Sequence, residues 1–242
     1  FSNWTALAVA LLSSWALVKW LGGSGLRWLA AHLALLAAAA GIHVYMGAVY
    51  CAASSLFLLT TLPAAGRRRR AALALLLQLL LAAVGLSAAD ALARSVGTCP
   101  PSAIVRTNVN LWVGRLRSLR LFSREWWSDF CFAVYNYAAT AALDPSVWLL
   151  AALAAAVAGG PGGALLAAWM LVTAGLALAA PFNLIYRSLY DFPFSVAEAA
   201  GLSLLASAVG RRAGGRAAEL AVAAVLAFKL CYALAFAAGL AS

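Results

Sequence analysis

The chain has 242 residues, of which 66% are hydrophobic and only 10% charged, with a mean hydropathy of +0.95. A soluble domain of this length would be roughly half apolar and about a quarter charged, so the composition excludes an ordinary soluble fold and specifies an all-α, polytopic integral membrane helix bundle. Long Ala/Leu runs without period-two alternation exclude an outer-membrane β-barrel. The net charge of +10, from 17 Lys plus Arg against 7 Asp plus Glu, suits anionic membrane headgroups. It does not suit nucleic acid, because no soluble basic surface with interleaved aromatics is present.

Apolar runs of about 17 to 25 residues mark membrane spans. In chain order the candidates are 4–21, 26–62, 71–93, 126–143, 147–158, 164–184, 195–209 and 217–240. The second is too long for one upright helix: it is either one strongly tilted helix or a tight pair turning near Gly41 to His43. The runs at 147 and 195 are short enough to be half-helices, so about seven to nine membrane segments are expected within a single membrane domain over 1–242. AAGRRRR, TCPPS and GGPGG, beginning at Ala64, Thr98 and Gly159, break or solvate the helix.

The positive-inside rule places Arg67 to Arg70, the Arg211, Arg212 and Arg216 cluster and the arginines between Arg106 and Arg124 on one side of the membrane. One good span between Arg70 and Arg106 cannot satisfy all three. Either 71–93 is re-entrant or one basic segment lies on the far side.

The segment 104–122, IVRTNVNLWVGRLRSLRLF, has a different pattern. Val105, Val109, Trp112, Leu116 and Leu119 form one apolar stripe at helical spacing, while Arg106, Asn110, Arg117, Arg120 and Arg124 lie away from it. It reads as an amphipathic helix along the membrane surface, the alternative being a helix packed on a soluble partner. Trp126 and Trp127 follow where a span begins, as in an interfacial aromatic belt. Together Arg106, Arg117, Arg120, Arg124, Trp112, Trp126 and Trp127 are expected to touch lipid headgroups. Ala-x-x-x-Ala spacings within the spans read as close helix packing.

Little points to catalysis. The histidines, His32 and His43, would sit three turns apart if their run were one helix, a spacing wrong for ligands of one metal. Cys51, Cys99, Cys131 and Cys231 form no CxxC, so neither a metal site nor a disulfide framework is indicated. No GxSxG, HExxH, P-loop or Asp-rich transferase motif is present. No catalytic site, metal or cofactor is therefore expected.

Ionisable residues inside spans carry more information, because a charge in the bilayer core is normally paired, turned inward or set on a water path. Lys19 and Asp90 lie near helix ends and are expected to snorkel. The others are Lys229 and Glu219 in the last run, and Glu198, Asp191 and Arg187 around NLIYRSLYDFPFSVAEAAG, which starts at Asn183. Arg187 and Asp191 are four apart and pair if the helix is continuous. Pro193 disfavours helix just before it, so the stretch is either a kinked helix or a loop between spans.

PFNLI at 181–185, PFS at 193–195 and ELAVAAVLAF at 219–228 resemble the last two helices of the proton-channel subunit a of rotary ATP synthases. That family places one essential arginine against the c-ring and an acidic residue in its final helix. In register with PFNLI and PFS the arginine position falls at Ala199, and Arg187 reaches it only with a three-turn shift. Leu226 stands where a glutamine is usual. PFSVAEAAG, from Pro193, resembles the acidic loop of the quinone-site membrane subunit of complex I, with Glu198 matching one loop acid and Ser195 and Ala200 replacing two others. These resemblances imply a membrane subunit of an energy-converting complex, in a mitochondrial inner or prokaryotic plasma membrane, that contributes to proton translocation. Arg187 would separate two half-channels, and Asp191, Glu198 and Glu219 would relay protons. The expected partners are anionic lipids and other membrane subunits. The alternatives are a structural or assembly subunit, and a small channel or transporter built on helices broken at GGPGG and Pro193.

Overall fold

A computed structural model of the chain describes residues 2–64, 66–117, 123–124, 127–128, 160–179 and 194–240. Among these residues all regular structure is helical. The helices are α1 (Ser2–Leu21), α2 (Leu26–Ile42), α3 (Val44–Thr61), α4 (Arg68–Ser95), α5 (Pro101–Arg117), α6 (Pro161–Ala179), α7 (Phe194–Ala213) and α8 (Gly215–Leu240). Among the described residues three stretches are long and apolar enough to cross a membrane: Trp4–Leu21, Val44–Thr61 and Arg68–Ser95. Leu26–Ile42 and Pro161–Thr173 are shorter apolar helices. The expected spans at 126–143 and 147–158 lie outside the described residues.

The chain divides into two compact units, Phe1–Trp127 with Ala168–Phe192, and Ser128–Ala167 with Pro193–Ser242. The first is built on α1 to α4. Gly23 and Gly25, at φ 98° and 95°, make the turn between α1 and α2, a backbone that other residues rarely adopt. The long run 26–62 is the tight pair rather than one tilted helix. His43 is extended (φ −152°, ψ 101°) and its Nδ1 accepts a hydrogen bond from Met46 N at 3.1 Å, capping α3. His32 and Ser54, each eleven residues from His43, hydrogen-bond the same Gln78 oxygen. A straight helix would hold them about 33 Å apart, so α2 and α3 fold back side by side. Just beyond the turn the backbones nearly touch: a Cβ on Gly47 would stand 2.4 Å from Ala40 Cα.

Each helix turns a narrow buried stripe inward: Ala6, Ala10, Ser13 and Leu17 on α1; Leu29, His32, Leu36 and Ala39 on α2; Met46, Tyr50, Ala53 and Phe57 on α3; Ala71, Ala74 and Gln78 on α4. The steps of three and four are those of one helix face. Lipid tails are as apolar as the core, so such helices associate through close van der Waals packing and interhelical hydrogen bonds, and the alanines in these stripes permit the approach. The reverse face of α4 stays open, with Leu76, Leu80 and Val84 each more than half exposed. That face suits contact with lipid.

Helix α4 runs unbroken for 28 residues, about 42 Å, so Arg70 and the start of α5 lie at its opposite ends. An unbroken helix favours the far-side placement of one basic segment over a re-entrant 71–93. At the second end Asp90 does not snorkel. It is 8% exposed, and its Oδ1 accepts a hydrogen bond from Ser102 N at 2.8 Å. Pro101 opens α5 as a proline-first helix does, and Asp90 supplies from outside the acceptor that the exposed helix N-terminus needs. Asp90→Ala is therefore expected to destabilise the first turn of α5 by about 1 kcal/mol, read as faster amide hydrogen exchange at residues 102–104 with α1 to α4 unchanged.

Candidate functional site

Midway along the first unit each of the four helices contributes a polar side chain to one buried layer. These residues stand at similar distances from the intervening turns, which is why Ser13, His32, Ser54 and Gln78 meet at one level of an up-and-down bundle. All four are fully buried. Ser13 Oγ lies 2.8 Å from His32 Nδ1 and 3.0 Å from the His32 carbonyl oxygen, and donates its single proton to one of them at a time. His32 Nε2 is 3.1 Å from Gln78 Oε1, which also accepts from Ser54 Oγ at 3.0 Å. The Gln78 amide nitrogen donates to the Cys51 carbonyl at 3.0 Å and to Ser55 Oγ at 2.7 Å.

A backbone carbonyl only accepts, so Gln78 must turn its NH2 toward Cys51 and its oxygen toward His32. His32 then carries its proton on Nε2, and Nδ1 is the acceptor facing Ser13. This assignment follows from the hydrogen-bond network. A neutral imidazole completes the network, and both ring nitrogens are engaged by the protein. His43, the second histidine, turns its Nδ1 to the start of α3, and no cluster of three or more His, Cys, Asp or Glu exists among the described residues.

Beside the layer, Tyr50 packs edge-on to His32 at 6.4 Å between ring centroids and against Trp169 of α6 at 4.9 Å. The buried Tyr50 hydroxyl has Ser13 and Ser14 beside it but forms no hydrogen bond of good geometry, and the buried Thr173 hydroxyl likewise has none.

The second unit holds a different arrangement. Helices α7 and α8 fold back across the Gly214 link, and Lys229 Nζ donates to Glu198 Oε1 in an ion pair. Both side chains are largely shielded, at 27% and 17% exposure. Glu198 lies in the first turns of α7, within a helix rather than a loop. Glu219 is exposed near the other end of the hairpin, where it lines a shallow, open pocket with Ala206, Ala218, Val222, Ala223 and Leu226. Ten residues of α8, about 15 Å, separate it from Lys229. The structure thus brings Glu198 to Lys229 and keeps Glu219 apart from both. Arg187 and Asp191 lie outside the described residues.

Of the expected headgroup contacts, Arg106 is exposed on α5 and Arg124 and Trp127 are exposed beyond it. Trp112 and Arg117 lie on α5, and Arg120 and Trp126 fall outside the described residues. The α5 helix begins three residues before the expected segment. Its stripe residues Val105 and Val109 are 40% and 42% exposed, so they are only partly covered by the protein there.

Sequence reasoning named the ionisable residues and missed the neutral layer. One signal was available: Gln78 is the only glutamine in the chain and stands inside the candidate span of highest hydropathy among the three described. Comparison with protein families, curated proteins and solved structures finds no match.

Proposed function

We propose that the chain is a multi-pass membrane subunit of an energy-converting complex, with seven to nine membrane segments and α5 lying along the membrane surface, and that its C-terminal helices contribute to proton translocation. The observation that carries this reading is the Glu198–Lys229 pair. Two opposite charges held between apolar helices are costly to place in a membrane and commonly mark an ion or proton path. Proton uptake by Glu198 coupled to proton release from Lys229 turns the ion pair into a neutral acid and a neutral amine, and the reverse restores it, so neither state leaves an unpaired charge in lipid. The C-terminal resemblance to ATP synthase subunit a supports the same reading, with Arg187 and Asp191 preceding this hairpin in sequence and Glu219 on its second helix. The exposure of Val105 and Val109 on α5 supports the surface helix.

The test is proton flux in vesicles carrying the intact complex. Glu198→Gln is expected to lower flux about a hundredfold, the scale of a lost proton-transfer group, with the complex still assembled; Arg187→Ala is expected to do the same. Unchanged flux in both variants sinks the proposal. Loss of assembly in Glu198→Gln that is restored by adding Lys229→Gln favours the structural-subunit alternative, which the fully bonded layer of the first unit also supports. Flux by the purified chain alone would instead indicate a small channel or transporter.

A further inference from the structure

The α1–α2 turn and the start of α4 sit together at one end of the first unit, and the chemistry gathered there is one-sided. Trp20 Nε1 donates to the Arg70 carbonyl at 3.1 Å, and the Arg70 guanidinium lies 5.8 Å over the Trp20 ring. Lys19 lies 5.8 Å over Trp15, Arg27 lies 5.7 Å over Trp28, and Trp15 meets Trp28 edge-on at 4.6 Å. With Arg67, Arg68 and Arg69, six cations share this end, and all but the half-buried Arg70 are exposed. Among the described residues none of them is paired with a carboxylate. The first acidic residue in the sequence is Asp90, occupied at the far end of α4. Among the described residues the shielded indole nitrogen of Trp28 also has no acceptor.

We infer that this end of the first unit is a binding site for the phosphate headgroup of an anionic phospholipid. Tryptophans at the ends of spans sit at headgroup depth, so the cations they carry are fixed at the level of lipid phosphates. A ring face beneath a guanidinium leaves its N–H edge free, and that edge matches a phosphate bidentately. Clustered Lys and Arg beside a span attract anionic lipid, and without neighbouring carboxylates the attraction is uncompensated. The inference requires that the chain spans a membrane, not that it moves protons, so the two readings fail separately.

The purified full chain is reconstituted in phosphatidylcholine vesicles containing trace phosphatidylglycerol or phosphatidylcholine with a photoreactive group near the headgroup, and labelled peptides are mapped by mass spectrometry. The glycerol lipid is expected to label 15–28 and 67–70 preferentially. In Lys19→Gln with Arg27→Gln, both exposed side chains whose loss leaves the Arg70 clasp in place, that labelling is expected to fall about fivefold per removed cation. Millimolar inorganic phosphate should leave the labelling unchanged. Equal labelling by the two lipids, or undiminished labelling of the double variant, overturns the inference. Displacement by inorganic phosphate also overturns it, by assigning the site to the free anion.

Discussion

Gly47→Val is expected to pry α2 from α3 and to destabilise the first unit by about 3 kcal/mol or more, the upper range for overpacking a filled interior. Even the Cβ of alanine would stand 2.4 Å from Ala40 Cα and 2.5 Å from Ala40 Cβ, more than about 1 Å inside ordinary carbon contact. The obstacle is backbone, so no side-chain rotation relieves it, and Ala40→Gly rescues Gly47→Ala only in part. Gly41→Ala is the matched control. Nothing lies within 4 Å of its Cβ position, and alanine favours helix, so its stability is expected to stay within about 1 kcal/mol of the parent, on the stabilising side. Reversible unfolding in mixed micelles measures all four variants, and a Gly47→Val protein as stable as the parent would show that α2 and α3 do not pack as described.

Gln78→Leu is expected to cost about 3 to 4 kcal/mol by the same measurement. The side chain makes four hydrogen bonds, to His32, Ser54, the Cys51 carbonyl and Ser55. Interhelical bonds of this kind average about 0.6 kcal/mol each in membrane proteins. The remainder comes from the groups left behind, since a buried donor without an acceptor costs about 1 to 3 kcal/mol, and leucine at 78 leaves the His32 Nε2–H facing hydrocarbon. Adding His32→Leu removes that orphan, while Ser13 can still donate to the carbonyl of residue 32. The double variant should therefore fall short of the summed single costs by about 1 kcal/mol, the coupling expected of residues in one network. Strict additivity would mean that His32 and Gln78 do not act together.

Sequence by itself determined the helical membrane class and most of the punctuation. Both are local or compositional: in lipid every backbone polar group must be satisfied within its own segment, and glycine, proline and arginine runs end helices wherever they fall. The breaks at AAGRRRR, TCPPS and GGPGG, where α4, α5 and α6 begin, were legible for that reason. The long run 26–62 was legible only as two alternatives, because its residues between Gly41 and His43 tolerate both a continuous helix and a turn. The contact of Ala40 with Gly47 and the capping by His43 decided it.

The rotation of each helix was not legible at all. An Ala/Leu helix is nearly as apolar on every side, so its inward face is chosen by a few polar atoms whose partners are remote in sequence. His32 finds Ser13 and Gln78 across 19 and 46 residues, and Glu198 finds Lys229 across 31. Sequence reasoning marked Glu198 and Lys229 as costly charges without joining them, and expected Asp90 to snorkel where its carboxylate is held by Ser102 N at the start of α5. Composition states that a charge or amide in lipid needs a partner; only the packed bundle, which fixes distance and direction together, decides which one it gets.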